Sequence, residues 1–286
     1  MRFAVLALAA LVSTAGAAQS VPSAIFSDPP VDAAHPAAMA VLHIPSHRLL
    51  INGIVYQPAG AGPHPTLVIC HGLPGNEKNL DLAQAVRRAG WNAVTFNYRG
   101  SWGSPGNYRF AQNLEDADAV LAYLRDPANA ARLGVDTKRI AVVGHSMGGW
   151  VTAETAAHDH ALIGAILISA ADMGNMGQMP RDKAVALMAD NMEALAGVTA
   201  ESMADEVIAN SKAFNLDNAV AGLALVPLLV LSADDGLAPR TDELVKEIQA
   251  KGNTRVTSIH AATDHGWSDH RIYLETTVIN WLAQLK

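Results

Sequence analysis

The sequence is poor in cysteine, in aromatic residues and in charge. Cys70 is the only cysteine among 286 residues, so no disulfide can form within the chain. Aromatic residues make up 5% and charged residues 16%, whereas half of the residues are apolar. Lysine and arginine form no cluster and the formal net charge is −7, which argues against a nucleic-acid partner. This composition is typical of a chain that buries one sizeable core.

A hydrophobic run long enough to cross a bilayer is also missing, because such a helix needs about 20 apolar residues. The one long apolar run, Phe3–Leu11, is much shorter, and it follows the positive start Met1–Arg2. Small residues come next, with an A-x-A pattern at Ala15–Ala17. These features predict a signal peptide at residues 1–18, and therefore a secreted or periplasmic protein with no membrane span.

Residues 19–44 are rich in alanine, proline and serine, and we interpret them as a leader or linker. From residue 45 to 286 strand-like and helix-like segments alternate, which predicts one α/β domain with a mostly parallel sheet and helices on both faces. Strands are expected at Leu49–Tyr56, Thr66–Cys70, Trp91–Asn97, Ile140–Val143, Ala161–Ser169, Leu225–Leu231 and Arg255–His260. Helices are expected at Asn79–Ala89, Phe110–Leu124 and Met147–Ala157 and at the C-terminus.

One stretch interrupts the alternation. Residues 171–224 separate two strands, look mainly helical and carry six methionines. An insertion of this length is often a lid, and flexible thioethers suit an adaptable apolar wall, so Met173 and Met176 are candidate substrate contacts. The alternative is that these methionines fill a small helical core.

The motif G-x-S-x-G occurs at Gly144–Gly148, directly after an apolar strand and at the start of a predicted helix. A tight strand-to-helix turn projects the serine hydroxyl above the sheet and leaves no room for side chains beside it. The N-terminus of the following helix favours an anion. Ser146 is therefore the candidate nucleophile.

A second turn, His71–Gly75, follows an earlier apolar strand. Two glycines and a proline fix an open backbone that can direct an amide at a developing oxyanion. We expect the backbone N–H groups of Leu73 and Met147 to form this oxyanion hole.

An acid and a base are expected in the order serine, acid, histidine. Two acids, Asp234 and Asp235, compete at the end of the strand before them. For the base, His265 lies in the loop after the last strand, and His270 at the start of the last helix is its main rival.

These residues together resemble the α/β-hydrolase superfamily, and most closely small secreted relatives of the prolyl oligopeptidase catalytic domain. The motifs concerned are His71–Gly75, Asn97–Gly103, Gly144–Gly149, Asp235–Pro239 and Asp264–Arg271. The resemblance implies a triad of Ser146, Asp235 and His265, the acid being the one in a D-x-x-x-P setting. It also places the loop with Tyr98 and Trp102 beside the site, as substrate contacts.

The activity predicted is cleavage of carboxylic esters through an acyl-enzyme, with a small-molecule ester or amide as substrate and no metal or organic cofactor. The long β-propeller of prolyl oligopeptidases has no counterpart in this chain, so peptidase activity does not follow from the resemblance. A peptidase or amidase with the same triad stays open. A non-catalytic binding module is the alternative of another class, and the intact Ser, Asp and His argue against it.

Overall fold

Short apolar strands alternate with helices along residues 20–285, the part of the chain that the computed structural model describes. The strands are β1 (Ala38–Ser46), β2 (Leu49–Gln57), β3 (His64–Cys70), β4 (Asn92–Phe96), β5 (Val135–His145), β6 (Gly164–Ile168), β7 (Leu228–Ala233) and β8 (Val256–Ala261). They form one sheet in the order β1-β2-β4-β3-β5-β6-β7-β8. β2 pairs antiparallel with β1 and β4, and all other pairings are parallel. The predicted class, α/β with a mostly parallel sheet, is confirmed.

Helices cover both faces of this sheet. They are α1 (Ser23–Phe26), α2 (Leu80–Arg88), α3 (Phe110–Arg125), α4 (Pro127–Leu133), α5 (Met147–His158), α6 (Met173–Met176), α7 (Arg181–Ala189), α8 (Ala200–Ala209), α9 (Val220–Leu223), α10 (Ala238–Ala250) and α11 (Arg271–Leu282). One core lies under α3 and α5, and a second lies under α2 and α11. Since β3, β6 and β7 are buried on both faces, their sequences are nearly continuous apolar runs.

The predicted leader at residues 19–44 is wrong in its last part, because β1 begins at Ala38. Leu42 and Ile44 are fully buried, whereas His43 and Pro45 between and after them are exposed, which is the alternation of an edge strand. Pro45 fits there because an edge strand tolerates a missing N–H. The predicted signal peptide, residues 1–18, lies outside the described residues. Within residues 20–285 no helix is long and apolar enough to cross a membrane.

Helices α6 to α9, with a 3₁₀ turn at Leu216–Ala219, lie between β6 and β7 in the stretch expected as a helical insertion. Met173, Met188 and Met203 are fully buried among them. The backbone of the segment between α7 and α8 pairs with that of the loop after β4, through Trp102 N–H to the Ala194 carbonyl at 2.9 Å. The insertion is therefore anchored on that loop.

Candidate active site

Ser146 lies in the turn between β5 and α5, with φ 58° and ψ −124°. A non-glycine residue in this region is strained by about 1–3 kcal/mol, so the surrounding backbone must impose it. The Ser146 N–H donates to the Ile168 carbonyl at 3.0 Å, and the Ser146 carbonyl accepts from Ala171 N–H at 3.0 Å. These bonds fix the turn against the end of β6.

The glycines of the motif are required by close backbone approach. A Cβ on Gly144 would lie 1.9 Å from the Gly148 carbonyl oxygen, and a Cβ on Gly148 would lie 2.1 Å from that of Cys70. The turn is therefore pressed against the end of β3. The Cys70 thiol in that strand is buried, and burial raises its pKa to about 12, so it is a packing residue and a poor nucleophile.

The loop after β3 lies directly beside Ser146, since a Cβ on Gly72 would be 3.1 Å from the Ser146 Cβ. Leu73 is in this loop and Met147 is the first residue of α5. Neither backbone N–H donates a hydrogen bond to any acceptor in residues 20–285. Both donors expected for the oxyanion hole are thus unpaired and carried by backbone adjoining Ser146.

Asp235 and His265 are brought together from the loops after β7 and β8. The Nδ1–H of His265 donates to Asp235 Oδ2 at 2.8 Å, and Asp235 Oδ1 accepts from Leu237 N–H at 3.0 Å. Burial opposes ionisation of Asp235, but the hydrogen bonds from His265, Leu237 N–H and Ser169 outweigh it and lower its pKa to about 2. Because Nδ1 carries the proton toward this carboxylate, Nε2 of His265 is left with the lone pair that a base needs.

The rival residues point elsewhere. The Asp234 side chain is 65% exposed and its carboxylate lies 3.0 Å from His260 Nε2. His270 Nδ1 lies 2.8 Å from Asp269, its neighbour in the chain. Of the two acids and two histidines considered, only Asp235 and His265 are hydrogen-bonded to each other.

Ser146 and His265 are not joined directly, since the Ser146 hydroxyl has no hydrogen-bond partner within residues 20–285. They are linked by His145, whose Nε2–H donates to the His265 carbonyl at 2.7 Å and whose ring centroid lies 4.6 Å from that of His265. Burial, and then the nearby His265, lower the pKa of His145 to about 4, so it is neutral at pH 7. Catalytic hydrogen bonds are often loose without substrate and tighten when it binds.

Further contacts, which the sequence does not reveal, hold the loop between β8 and α11, called the base loop below because it carries the candidate base His265. The Nε1–H of Trp267 donates to Ser169 Oγ at 3.1 Å, and both residues are buried. Arg271 donates to the Gly266 carbonyl at 3.2 Å and to Asp81 on α2 at 2.6 Å. The loop is therefore tied to β6 and to α2 at once.

The predicted substrate contacts divide into two kinds. Tyr98 and Met173 are fully buried, so the expectation that they contact substrate is wrong. Tyr98 instead supports the loop after β3, His71–Gly75, which is the candidate oxyanion loop, because its hydroxyl donates to the His71 carbonyl at 3.3 Å. Trp102 is half-buried and its Nε1–H donates to the Pro74 carbonyl at 2.7 Å, so it borders this loop.

Met176 does line a cavity, of about 230 Å³, between the end of β6, α6 and the loop that carries Asp235. Ala170, Ala171, Met179 and Leu237 form the rest of its apolar wall. The ion pair between Asp172 and Arg240, at 2.8 Å, is also part of its wall. Since Ala171 N–H bonds the Ser146 carbonyl, the cavity adjoins the candidate nucleophile.

A metal site has no support in the described residues. They contain no group of three or more His, Cys, Asp and Glu side chains arranged to hold an ion. His158 and His160 are close enough in the sequence to suggest a metal site. His158 is instead hydrogen-bonded to Asp118 at 2.9 Å and to the Glu154 carbonyl.

Comparison with known proteins identifies the family and the fold. The model of the alpha/beta hydrolase family matches residues 67–270. The acylaminoacyl peptidase of Pyrococcus horikoshii superposes with a TM-score of 0.69 at 16% identity, covering 87% of this chain but 42% of the peptidase. An esterase of Pyrobaculum calidifontis superposes with a TM-score of 0.65 at 21% identity, covering 87% of this chain and 86% of the esterase. An esterase of Pyrococcus furiosus superposes with a TM-score of 0.64 at 16% identity, covering 90% of this chain and 97% of the esterase. No curated protein matches the sequence significantly. At such identities these structures show a shared fold, and the chain spans less than half of the peptidase.

Proposed function

The chain belongs to the alpha/beta hydrolase family, as its motifs predicted, and on this basis we propose that it is a serine hydrolase that cleaves carboxylic esters through an acyl-enzyme. The observation that carries the proposal is the 2.8 Å hydrogen bond between His265 and Asp235, from loops at the same sheet edge as the strained Ser146 turn. A serine becomes a useful nucleophile only beside such an oriented base.

In the proposed reaction His265 Nε2 removes the proton of Ser146 Oγ as the oxygen attacks the ester carbonyl. Asp235 stays ionised, keeps His265 in the required tautomer and stabilises the imidazolium. The N–H groups of Leu73 and Met147 stabilise the oxyanion, and removing one such donor typically costs about 2.7–4 kcal/mol. His265 then protonates the leaving alcohol, and water activated by the same base releases the acid.

We place the apolar part of the substrate in the cavity lined by Ala170, Ala171 and Met176. Most of its wall is apolar and it adjoins Ser146, whereas the two charged groups in the wall, Asp172 and Arg240, are already paired with each other. An uncharged acyl or alcohol group therefore fits better than a charged one. The test is Ala171→Leu, which narrows the cavity and is expected to lower kcat/KM most for the longest chains of a p-nitrophenyl ester series.

Rates on a p-nitrophenyl ester and on an aminoacyl anilide, measured side by side, test the reaction class. We expect turnover of the ester, little of the anilide, and none of either by Ser146→Ala. Preferential turnover of the anilide would establish the alternative peptidase or amidase. Well-folded wild-type protein with no activity on either, and no reaction with a fluorophosphonate, would favour a binding module.

We also propose that the protein acts outside the cytoplasm, after removal of residues 1–18. The support is the sequence pattern alone: a positive start, a short apolar run and an A-x-A site. N-terminal sequencing of protein recovered after export is expected to begin near Gln19. An intact Met1 on the active protein would overturn this.

A further inference from the structure

A second cavity, of about 270 Å³, lies beside the oxyanion loop, between β1, β2, β4 and the segment that leads into α2. It shares no lining residue with the cavity beside Ser146. Most of its wall is apolar, formed by Val41, Ile54, Tyr56, Ile69, Leu80 and Phe96. The cavity is partly open to solvent, since Val41 on β1 and Leu80 at the start of α2 are 61% and 44% exposed.

Lys78 is the only charged side chain in the wall of this cavity. Its Nζ donates to Asn97 Oδ1 at 3.0 Å and lies 4.1 Å from the centroid of the Trp102 ring. No carboxylate within residues 20–285 forms an ion pair with it. Burial lowers the pKa of Lys78, because its ammonium is partly desolvated and no carboxylate compensates for this.

The other polar groups of the wall neither neutralise nor reinforce this charge. His71 is buried and its Nδ1–H donates to the Gly72 carbonyl at 2.8 Å, and burial lowers its pKa to about 4, so it is neutral. The Asn97 amide is oriented by two bonds, since its Nδ2–H donates to the Trp102 carbonyl. The acid next to Lys78 in the sequence, Glu77, does not pair with it, and its carboxylate instead accepts a hydrogen bond from Asn79 N–H.

We propose that this cavity binds an apolar monocarboxylate, with its carboxylate on Lys78 and its hydrocarbon part along Val41, Ile54 and Leu80. Such a molecule supplies the missing negative charge and covers the exposed apolar side chains in one step. A polyanion fits poorly, because a single cation faces it. A volume of 270 Å³ is small for a ligand site, which favours an acid of short or medium length.

Occupation of this site is connected to the oxyanion loop. Lys78 lies over the Trp102 ring, and the Nε1–H of Trp102 donates to the Pro74 carbonyl, next to Leu73. A carboxylate that draws the ammonium toward itself changes the surroundings of this indole, so Trp102 reports binding. Carboxylic acids are also products of ester cleavage. The proposed site does not depend on that reaction, however, because none of the observations that support it involves Ser146.

The test is calorimetric titration of the purified protein with octanoate, with 1-octanol as the uncharged probe. Lys78→Met keeps most of the aliphatic stem and removes the positive charge. Val41→Glu places a negative charge, the same sign as that of octanoate, at an exposed position of the wall. Each is expected to weaken octanoate binding about tenfold or more, Lys78→Met because it removes a hydrogen bond between charged groups and Val41→Glu because its carboxylate repels that of octanoate. Met39→Glu is the matched control, because Met39 lies on the same strand and is 58% exposed but does not line the cavity.

Octanol is expected to bind wild type more weakly than octanoate does, and Lys78→Met is expected to leave its affinity unchanged. Octanoate should also change the tryptophan emission of wild type and not that of Trp102→Phe. Absence of octanoate binding to wild type would overturn the proposal. So would octanoate affinities within threefold of wild type in both Lys78→Met and Val41→Glu, or equal weakening by Met39→Glu.

Discussion

Ser146 is held by backbone packing, whereas Asp235 and His265 are held by side-chain hydrogen bonds. Around Ser146 the glycines leave so little space that a Cβ on Gly148 would lie 2.1 Å from a carbonyl oxygen. In the base loop a Cβ on Gly266 would meet its nearest atom at an ordinary 3.4 Å. We infer that the nucleophile side tolerates no added atoms, and that the acid–base side depends instead on particular donors and acceptors.

The largest expected effect is on the acid–base side. Asp235→Asn preserves the shape of the side chain, but an amide no longer selects the Nδ1–H tautomer of His265 or stabilises its imidazolium. We expect kcat on a p-nitrophenyl ester to fall about 10⁴-fold, as for other serine triads. Asp234→Asn is the control on the adjacent residue and should remain within about twofold of wild type, because surface substitutions have small effects. Equal losses in both variants would contradict the assignment of the acid.

On the nucleophile side, Gly148→Ala adds one methyl group against the Cys70 carbonyl. We expect it to lower the free energy of unfolding by about 3 kcal/mol or more, the upper range for overpacking. Gly266→Ala is its counterpart in the base loop, where φ is not positive and space is available, and should change stability by about 0.5 kcal/mol or less. Urea unfolding of both variants measures the difference. Similar losses of stability would show that the two sides are packed alike.

The Ser146 turn and the loops of Asp235 and His265 also differ in how much of their structure can be predicted from the sequence. The strand–turn–helix setting of Ser146 was predicted because glycines at fixed spacing are a local signal. The contact of His145 with the His265 carbonyl joins residues 120 apart, and that of Trp267 with Ser169 joins residues 98 apart. No periodicity or motif records such pairings, so they were not predicted.

The wrong predictions have a related cause. Tyr98 and Met173 lie in segments that adjoin the site, but sequence does not show which way a loop or short-helix side chain points, and both point into the core. Position in the sequence does not separate Asp235 from Asp234, and only the resemblance to a known family predicts Asp235 as the acid. Most of β1 falls within the predicted linker because the alanines and prolines before it mask an alternation only a few residues long.

The carboxyl groups of the two sides should respond oppositely to pH. Glu154 lies on α5, and burial, together with the charge of Asp172, raises its pKa to about 7. The folded state therefore holds this proton more tightly than the unfolded state, and stability falls as pH rises from about 4.5 through 7. We expect Glu154→Gln to increase the free energy of unfolding by about 2–3 kcal/mol at pH 8 and by much less at pH 5. Unfolding curves at the two pH values measure this, and an equal change at both would contradict it.

Asp235 has the reverse linkage, because its hydrogen bonds lower its pKa to about 2. Its contribution to stability is present above the unfolded pKa, near 4, and is lost as pH falls through 2. After allowance for solvent screening, we expect about 1–2 kcal/mol of the wild-type stability to disappear over this interval. Asp235→Asn should lack that component, which unfolding at pH 6, 4 and 2 will show. A difference between the two proteins that does not depend on pH would be inconsistent with an ionised Asp235.

The smallest expected effect concerns His145, which joins the two sides. His145→Met and His145→Gln are similar in size, but only glutamine retains an N–H that can donate to the His265 carbonyl. Loss of one hydrogen bond, about 1 kcal/mol, predicts a fall of about five- to tenfold in kcat for methionine and less for glutamine. Melting temperatures should be alike in the two variants. If kcat is the same in both, the contact has no part in positioning the base.

The most direct test of the proposed mechanism is to locate the residue that a fluorophosphonate modifies. Peptide mapping by mass spectrometry after labelling of purified protein is expected to find the adduct on Ser146, and labelling of His265→Ala is expected to be slower by orders of magnitude. An adduct on another residue, or labelling of His265→Ala at the wild-type rate, would contradict a serine activated by this histidine.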